Sequence, residues 1–519
     1  MPTLTLTPEQ EAIREAAAAG LPGKVVAYAG TGKTTTLRLI AEARPRDRIL
    51  YLAFNKVIAD EAKAKMPPHV TSRTTHSLAF DGTRTWRGYR PVVGSWWRLK
   101  QDILRAEGDT IDRSRMYGRS AEAAFAAVAG TLARFCNSAD PEPNGHHVPR
   151  AVLDPYLAAA YHLEGAPTTE AAQKRLEDGI RRVIGQAAAR IWAVARDRGD
   201  WPVTHDMYLK VWQLSTPTIP ADLILFDEAQ DAAPVQQALV LAQRGRLWMV
   251  GDPHQAIYEW RGAIDALSHY DAPAYPLSRS WRFGAAIAAV AGRILDLWGV
   301  DPPLTGGGPP GQVVLPGPDL APETVTEAGC QVPAGAQTAI LCRTNIGVMQ
   351  AALDALDTGR AVAVAGGADG LADLIDSAVA LYHGGSPRHP DLRDFVSWDE
   401  LRLLSEVPGG EAWAPIVRLV EQGADHAARM AARLRHDTVA EAVAGVVVST
   451  AHKAKGRQWP IVRFGHDWRP FQGRDPNGRP YRHDEEARLW YVAMTRPTHC
   501  LDLTAAGAAW TRNWEEGTA

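Results

Sequence analysis

Residues 25–36, Val-Val-Ala-Tyr-Ala-Gly-Thr-Gly-Lys-Thr-Thr-Thr, constrain what this chain can fold into more than any other stretch. An apolar run enters a glycine-bearing turn, and a Lys-Thr pair leads on into the amphipathic segment Leu37-Arg38-Leu39-Ile40. That order spells strand, phosphate loop, helix. The loop Ala29, Gly30, Thr31, Gly32 turns successive backbone N–H groups inward around oxygens, and the helix start at Lys33, Thr34 and Thr35 favours negative charge. Lys33 is expected to reach the terminal phosphates of ATP, and the Thr34 hydroxyl to hold Mg²⁺. The first glycine of the usual pattern is Ala27 here.

Two later strand ends carry the complementary chemistry. Residues 221–231 form an apolar strand that delivers adjacent carboxylates, Asp227 to hold Mg²⁺ and Glu228 to orient and deprotonate the attacking water. Residues 247–252 form another, followed by Gln255, whose amide has the reach to sense a γ-phosphate or that water. Directly after it, Tyr258, Trp260 and Arg261 place two aromatic rings and a guanidinium where hydrolysis can be coupled to a stacked base.

Around these blocks the pattern alternates between strand and helix. Thr7 and Pro8 start a helix over residues 9–19, residues 48–56 form a buried strand ending in polar residues, a helix runs to Lys65, and a third strand ends at residues 74–77. Such alternation implies a parallel sheet with ligands at the strand C-terminal ends. From about 81 to 200 it stops, and Ala-rich segments at 121–135, 156–164 and 168–198 read as a helical insertion. Core is the expected place for most of Trp86, Trp96 and Trp97, with a DNA-facing position as the alternative. Residues 301–318 read as a loop, 339–343, 361–365 and 446–450 as strands, and 366–439 as mainly helical. The tail after Ala506 carries no pattern of its own.

Bulk properties narrow the class. At 519 residues the chain suggests about three or four domains of roughly 150 each. A net charge of −3 gives no global basic field, although a local groove of Lys and Arg suffices for nucleic acid. Seventeen tryptophans supply core and stacking surface alike. Four scattered cysteines lack metal-ligand spacing, which argues against an iron–sulfur cluster, a zinc ribbon or a disulfide framework. With no signal segment and no apolar run of membrane length, a soluble, cytoplasmic protein without a membrane partner is expected.

The ordered blocks resemble the motifs of UvrD/Rep-type superfamily 1A helicases, and are most similar to the F-box DNA helicase branch, although no F-box is evident. The strings are residues 50–56, 227–231, 250–258, 277–284, 450–456 and 485–496, so the likeness runs from Gln10 to Arg496. Ala27 also fits that family's pattern. The resemblance implies roles residue by residue. Gln10 recognises adenine and Trp281 stacks on it. Arg282 and Arg496 reach the γ-phosphate from opposite sides of a cleft. Phe54, Asn55, Thr74, His76, Tyr258, Trp260, Arg261, Arg343 and His452 line the path of single-stranded DNA. Gln458 stands where the family carries a glutamate near the nucleotide sugar, keeping a hydrogen bond without the charge.

The expected fold is α/β, with two RecA-like P-loop NTPase domains built on parallel sheets, each with a mainly helical insertion. The first would span residues 1–80 and 200–285 with an insertion at 81–199, and the second 286–365 and 440–519 with a reduced insertion at 366–439. The resemblance implies a monomeric, ATP- and Mg²⁺-dependent helicase or translocase. It would move 3′ to 5′ on single-stranded DNA and act at junctions of single and double strands. A protein-stripping translocase, or the motor of a separate nuclease, repair or defence complex, is the alternative. An ATP-gated DNA-binding module without turnover is a third.

Overall fold

A computed structural model describes residues 6–53, 55–88, 90–94, 96–257, 265–316, 322–389, 391–392, 395, 397–406, 413–474 and 479–514. The chain divides into two compact units, one of Met1–Val26, Thr34–Gly251 and Tyr258–Tyr275, the other of Ala27–Lys33, Asp252–Ile257 and Pro276–Ala519.

The first unit is organised on strands β1 (Gly23–Ala27), β2 (Ile49–Ala53), β3 (Val70–Thr74), β4 (Leu223–Phe226), β5 (Arg246–Gly251) and β6 (Ala274–Leu277). Their order is β3-β2-β4-β5-β1-β6, and the pairings from β3 through β1 are parallel. Every residue of β2 and of β4 is buried, as a parallel strand covered on both faces requires. The register brings Thr74 opposite Ala53, Leu52 opposite Phe226, and Gly251 opposite Val26, so the strand C-terminal ends share one edge. Strand β3 stops at Thr74, short of the expected residues 74–77. Thr74 and Ser77 form a capping box, with Ser77 N–H donating to Thr74 Oγ1 at 3.1 Å, and residues 75–77 become the first turn of a helix, Thr75–Gly82.

The helical insertion contains Lys100–Arg113, Ala121–Asn137, Arg150–Glu164 and Glu170–Asp197, and the helix His205–Leu214 packs against it. These pack around Phe125, Leu132, Phe135, Tyr156, Ile184 and Trp192. Trp96 belongs to that core, whereas Trp86 is half-buried and donates Nε1 to the Arg196 carbonyl at 3.2 Å. The Trp97 side chain lies outside what is described.

The second unit carries β7 (Gln312–Pro316), β8 (Pro322–Thr326), β9 (Thr338–Cys342), β10 (Val362–Val364), β11 (Val446–Thr450), β12 (Trp459–Phe464) and β13 (Pro497–Asp502) in the order β8-β7-β13-β12-β9-β11-β10. All neighbours are parallel except β8, which runs antiparallel to β7. The fold is therefore α/β with two RecA-like, mainly parallel sheets. Among the described residues, four helices, Asp369–Tyr382, Trp398–Glu406, Ala414–Gln422 and Ala424–Asp437, lie between β10 and β11.

Two expectations are corrected in this unit. Residues 301–318 are not wholly loop, because Val313 is fully buried in β7 opposite Leu501, and Thr305–Gly306 pairs with Arg279–Ser280. The parallel partner of β7, β13, lies almost two hundred residues downstream, beyond the reach of local pattern. The tail is not featureless either. Gly507–Asn513 is a helix whose Asn513 side chain accepts Phe471 N–H at 2.8 Å, and Trp510 packs 6.0 Å from Trp490. All four cysteines are free, and no helix among the described residues is long and apolar enough to cross a membrane.

Lys210 generates a pH prediction. It is fully buried in the helix His205–Leu214, donating to the Ser138 carbonyl at 2.9 Å and Gln213 Oε1 at 3.0 Å. Burial lowers its pKa from 10.5 to about 8. Between those values the unfolded chain holds a proton that the folded chain does not, so stability rises with pH across that window, by at most ~3 kcal/mol. Urea unfolding of the wild type between pH 7.5 and 10.5 is expected to show that rise, and Lys210→Met to flatten it. Parallel profiles would refute the assignment.

Candidate functional site

The phosphate loop is built on two glycines with left-handed backbone, Gly30 at φ +74° and Gly32 at φ +89°. Thr31 Oγ1 donates to the Tyr28 carbonyl at 2.8 Å, which fixes the turn from inside. The Gly30 carbonyl accepts Trp281 N–H at 2.8 Å. A Cβ on Gly30 would lie 2.6 Å from Ser280 Oγ and 2.7 Å from Arg282 Cβ, so only glycine permits this approach. Trp281 is 44% exposed beside the loop, with the Arg279 guanidinium 4.7 Å from its ring centre. The loop runs into the helix Lys33–Glu42, where Thr34 and Thr35 occupy the first turn, half-buried.

Residues 252–257 lie in the same unit as that loop. Asp252 is fully buried and accepts Gln255 Nε2 at 2.6 Å. Gln255 Oε1 in turn accepts Arg496 Nη2 at 2.7 Å, and Lys455 Nζ donates to the Gln255 carbonyl. Arg282 donates Nη1 to the Thr495 carbonyl at 2.7 Å and Nε to Gln458 Oε1 at 3.1 Å. Gln255, Arg282, Gln458 and Arg496, some 240 residues apart at the extremes, thus meet in one polar network. The sequence reading missed Tyr491, whose hydroxyl accepts the phosphate-loop Ala29 N–H at 3.2 Å. Burial, with Asp252 nearby, pushes that phenol well above its usual pKa and keeps it neutral.

The carboxylate pair belongs to the first unit. Asp227 is buried at the end of β4, where it accepts the Tyr51 hydroxyl and, at 2.9 Å, Glu228 N–H. Burial and the neighbouring Asp227 charge push the Tyr51 pKa far up, so it stays a donor. Glu228 has φ +50°, a left-handed conformation that non-glycine residues adopt at a cost of ~1–3 kcal/mol and that clusters at active sites. Gln230 Nε2 holds Glu228 Oε2 at 2.6 Å. A Cβ on Gly251 would sit 2.3 Å from Gln230 Oε1, so that glycine makes room for the amide. Gln10 is buried in the first helix, Pro8–Ala18. There its Oε1 accepts Thr7 N–H at 3.1 Å and closes a capping box.

The residues assigned to a DNA path divide by circumstance. Phe54, Tyr258, Trp260 and Arg261 lie outside the described residues. Asn55 is exposed and caps the helix Lys56–Lys65 through Ile58 N–H at 2.9 Å, while Thr74 caps Thr75–Gly82. His76 is half-exposed with Asp206 3.8 Å away, and His452 is half-buried. Arg343 donates Nε to Glu486 at 2.8 Å. Its loop is pinned by Asp467, which accepts Arg343 N–H at 2.9 Å, Thr344 N–H at 2.7 Å and the Thr344 hydroxyl at 2.8 Å. Burial raises the Glu486 carboxyl despite its arginine partner. Glu486 lies inside the string 485–496 without a role of its own there, and no motif in the sequence points to Asp467.

Elsewhere, Asp140, His146 and His147 gather their ligand-type atoms within 4.8 Å. His147 Nδ1 accepts Asn144 N–H at 3.1 Å, which leaves the proton on Nε2, facing Asp140 at 3.0 Å. That nitrogen has no lone pair for a metal, and the trio is a hydrogen-bonded corner of the insertion.

A family model described as an AAA domain matches residues 9–261. The chain is 30% identical over 538 residues to F-box DNA helicase protein 1 of Schizosaccharomyces pombe, across 96% of this chain and 57% of that protein. It is 29% identical over 515 residues to F-box DNA helicase 1 of Gallus gallus, across 92% of this chain and 47% of that protein. It therefore spans about half the length of these curated relatives. Among solved structures, an arterivirus nonstructural protein 10 (helicase) with DNA aligns with 94% of this chain and 62% of its own, at 12% identity and a TM-score of 0.30.

Gly30→Ala tests the loop packing. The added methyl meets Ser280 and Arg282, and the left-handed backbone penalises it further. Thermal unfolding is expected to show a loss of about 1–3 kcal/mol. An unchanged melting temperature would mean that the loop does not hold this conformation.

Proposed function

We propose that this chain, a relative of the F-box DNA helicase branch of the superfamily 1 helicases, is an ATP-hydrolysing motor that moves 3′ to 5′ along single-stranded DNA and separates duplex at junctions. The observation that carries this reading is the contact of Arg496 with Gln255 at 2.7 Å, in a unit that also holds the phosphate loop. A guanidinium bonded to a candidate γ-phosphate sensor can exchange that amide for a phosphate oxygen when nucleotide binds. We assign a first RecA-like domain to residues 1–80 and 200–285 and a second to 286–365 and 440–519. The insertions are 81–199 and 366–439.

In this mechanism the loop N–H groups and Lys33 bind the phosphates, Gln10 and Trp281 select the base, and Gln458 contacts the sugar. Thr34 and Asp227 suit Mg²⁺, since a hydroxyl and a buried carboxylate are hard oxygen donors. The ion, when bound, supplies charge neutralisation on the phosphate oxygens. Glu228 takes the proton of the attacking water, held in line by Gln230. Arg282 and Arg496 stabilise the charge that develops on the transferred group. Asn55, Thr74, His76, Arg343 and His452 meet the strand, together with Phe54, Tyr258, Trp260 and Arg261. Four helices between β10 and β11 make a small second insertion, which favours a translocase with modest strand displacement as the second reading.

The test is steady-state ATP hydrolysis with and without single-stranded DNA across a salt series. Strong stimulation that fades with salt supports the motor, and absence of turnover in any condition rejects it in favour of a gated binding module. Glu228→Gln is expected to lower kcat at least 10²-fold while nucleotide affinity stays within a few-fold, whereas Lys33→Ala loses both. Normal turnover in Glu228→Gln would remove that residue from the mechanism.

A further inference from the structure

The helix Thr75–Gly82 carries two aromatic side chains one turn apart, His76 and Phe80. Residues four apart on an α-helix share a face and rise ~6 Å along it. Both rings meet Tyr208 edge-on, with centroids 6.2 and 5.6 Å away. Tyr208 is buried, and its hydroxyl is engaged with His205 Nδ1 at 2.9 Å. Phe80 stays 40% exposed although Ala79, Tyr208 and Arg87 are buried, so the cluster ends in an apolar ring offered to solvent.

The ring is backed by a cation. Arg87, only 7% exposed, places its guanidinium carbon 3.5 Å from the Phe80 ring centre and donates Nη2 to the Phe80 carbonyl at 2.6 Å. Its buried Nε makes no hydrogen bond among the described residues. A desolvated guanidinium on one face fixes the ring in place and draws its π density toward that side. What remains exposed is a rigid, electron-poor surface suited to an electron-rich planar partner. Of the nearby carboxylates, Asp81 pairs with Arg73 and Asp206 lies 3.8 Å from His76, while the Arg87 guanidinium keeps its positive charge beneath the ring. A π-face backed by a cation fits a nucleobase carried on an anionic strand.

We propose that Phe80, backed by Arg87 and Tyr208, is a base-stacking platform for single-stranded DNA, one helical turn beyond His76. This rests on the motor reading above, which assigns His76 to the DNA path but does not include Phe80.

The experiment measures binding of fluorescein-labelled oligo-dT by anisotropy, using the full chain as wild type, Phe80→Ala, Phe80→Leu and Phe80→Trp. Loss of one base–aromatic stack is expected to weaken Phe80→Ala and Phe80→Leu about tenfold. Phe80→Trp is expected to bind within about threefold of wild type. On an oligonucleotide made of abasic residues, wild type and Phe80→Leu should differ by less than about twofold, because no base is left to stack. Phe80→Leu keeps an apolar side chain and guards against mere unfolding. If wild type binds oligo-dT and Phe80→Leu binds equally well, the platform is wrong while the motor stands. An equal loss on the abasic strand also overturns it, making Phe80 a structural residue. If wild type binds no strand, motor and platform fall together.

Discussion

Arginine keeps its charge at any physiological pH, so an arginine that is 2% exposed must find all its acceptors within the protein. Arg496 donates to the Val492 carbonyl at 2.8 Å, Gln255 Oε1 at 2.7 Å, Thr495 Oγ1 at 3.2 Å and the Arg457 carbonyl at 3.4 Å. Val492 and Thr495 are its own chain neighbours. Gln255 comes from a turn that follows strand β5, and its own amide is anchored on the buried Asp252. Removing any member strands a buried charge or donor, which is why the turn and the arginine cannot be placed independently.

The helix Asp484–Met494 distributes that constraint. Its first turn presents Glu486 to Arg343, its last presents Tyr491 to the phosphate loop, and Arg496 follows directly after it. Between them Trp490 is fully buried against Phe464, Trp468 and Trp510. One packed helix thus carries the Glu486 contact at its start and leads directly into Arg496 at its end. The Asp467 carboxylate, with three donors from the Arg343–Thr344 turn, keeps the far partner in register.

Elements whose chemistry is local are legible in the amino-acid sequence. The phosphate loop announces itself because glycine, lysine and threonine must follow a strand at set spacing, and the carboxylates because an apolar run ends in Asp-Glu. Helix starts are legible where a cap is present, as at Thr7. The same rule, applied to Thr74 and Ser77, ends β3 at its observed residue. Strand β7 escapes local pattern because its pairing with Pro497–Asp502 joins distant segments and its Pro/Gly-rich flanks imitate a loop. Tyr51, Gln230, Glu486 and Tyr491 sit inside the matched strings but have no role legible there, and Asp467 lies outside them, because each matters through the partner that the fold brings to it.

The sequence by itself determined the order of strands, loops and helices and the chemical inventory they deliver: phosphate-binding backbone, paired carboxylates, a glutamine, two arginines. Spacing and side-chain type are local quantities, and they suffice for that. Only the tertiary structure decided which of these groups touch and what holds each one at rest. Arg496 rests on Gln255, Arg282 on Thr495 and Gln458, Arg343 on Glu486, and Asp227 on Tyr51. A buried ionic or polar group must be satisfied by whatever the fold brings within about 3 Å, and no linear pattern encodes that neighbour.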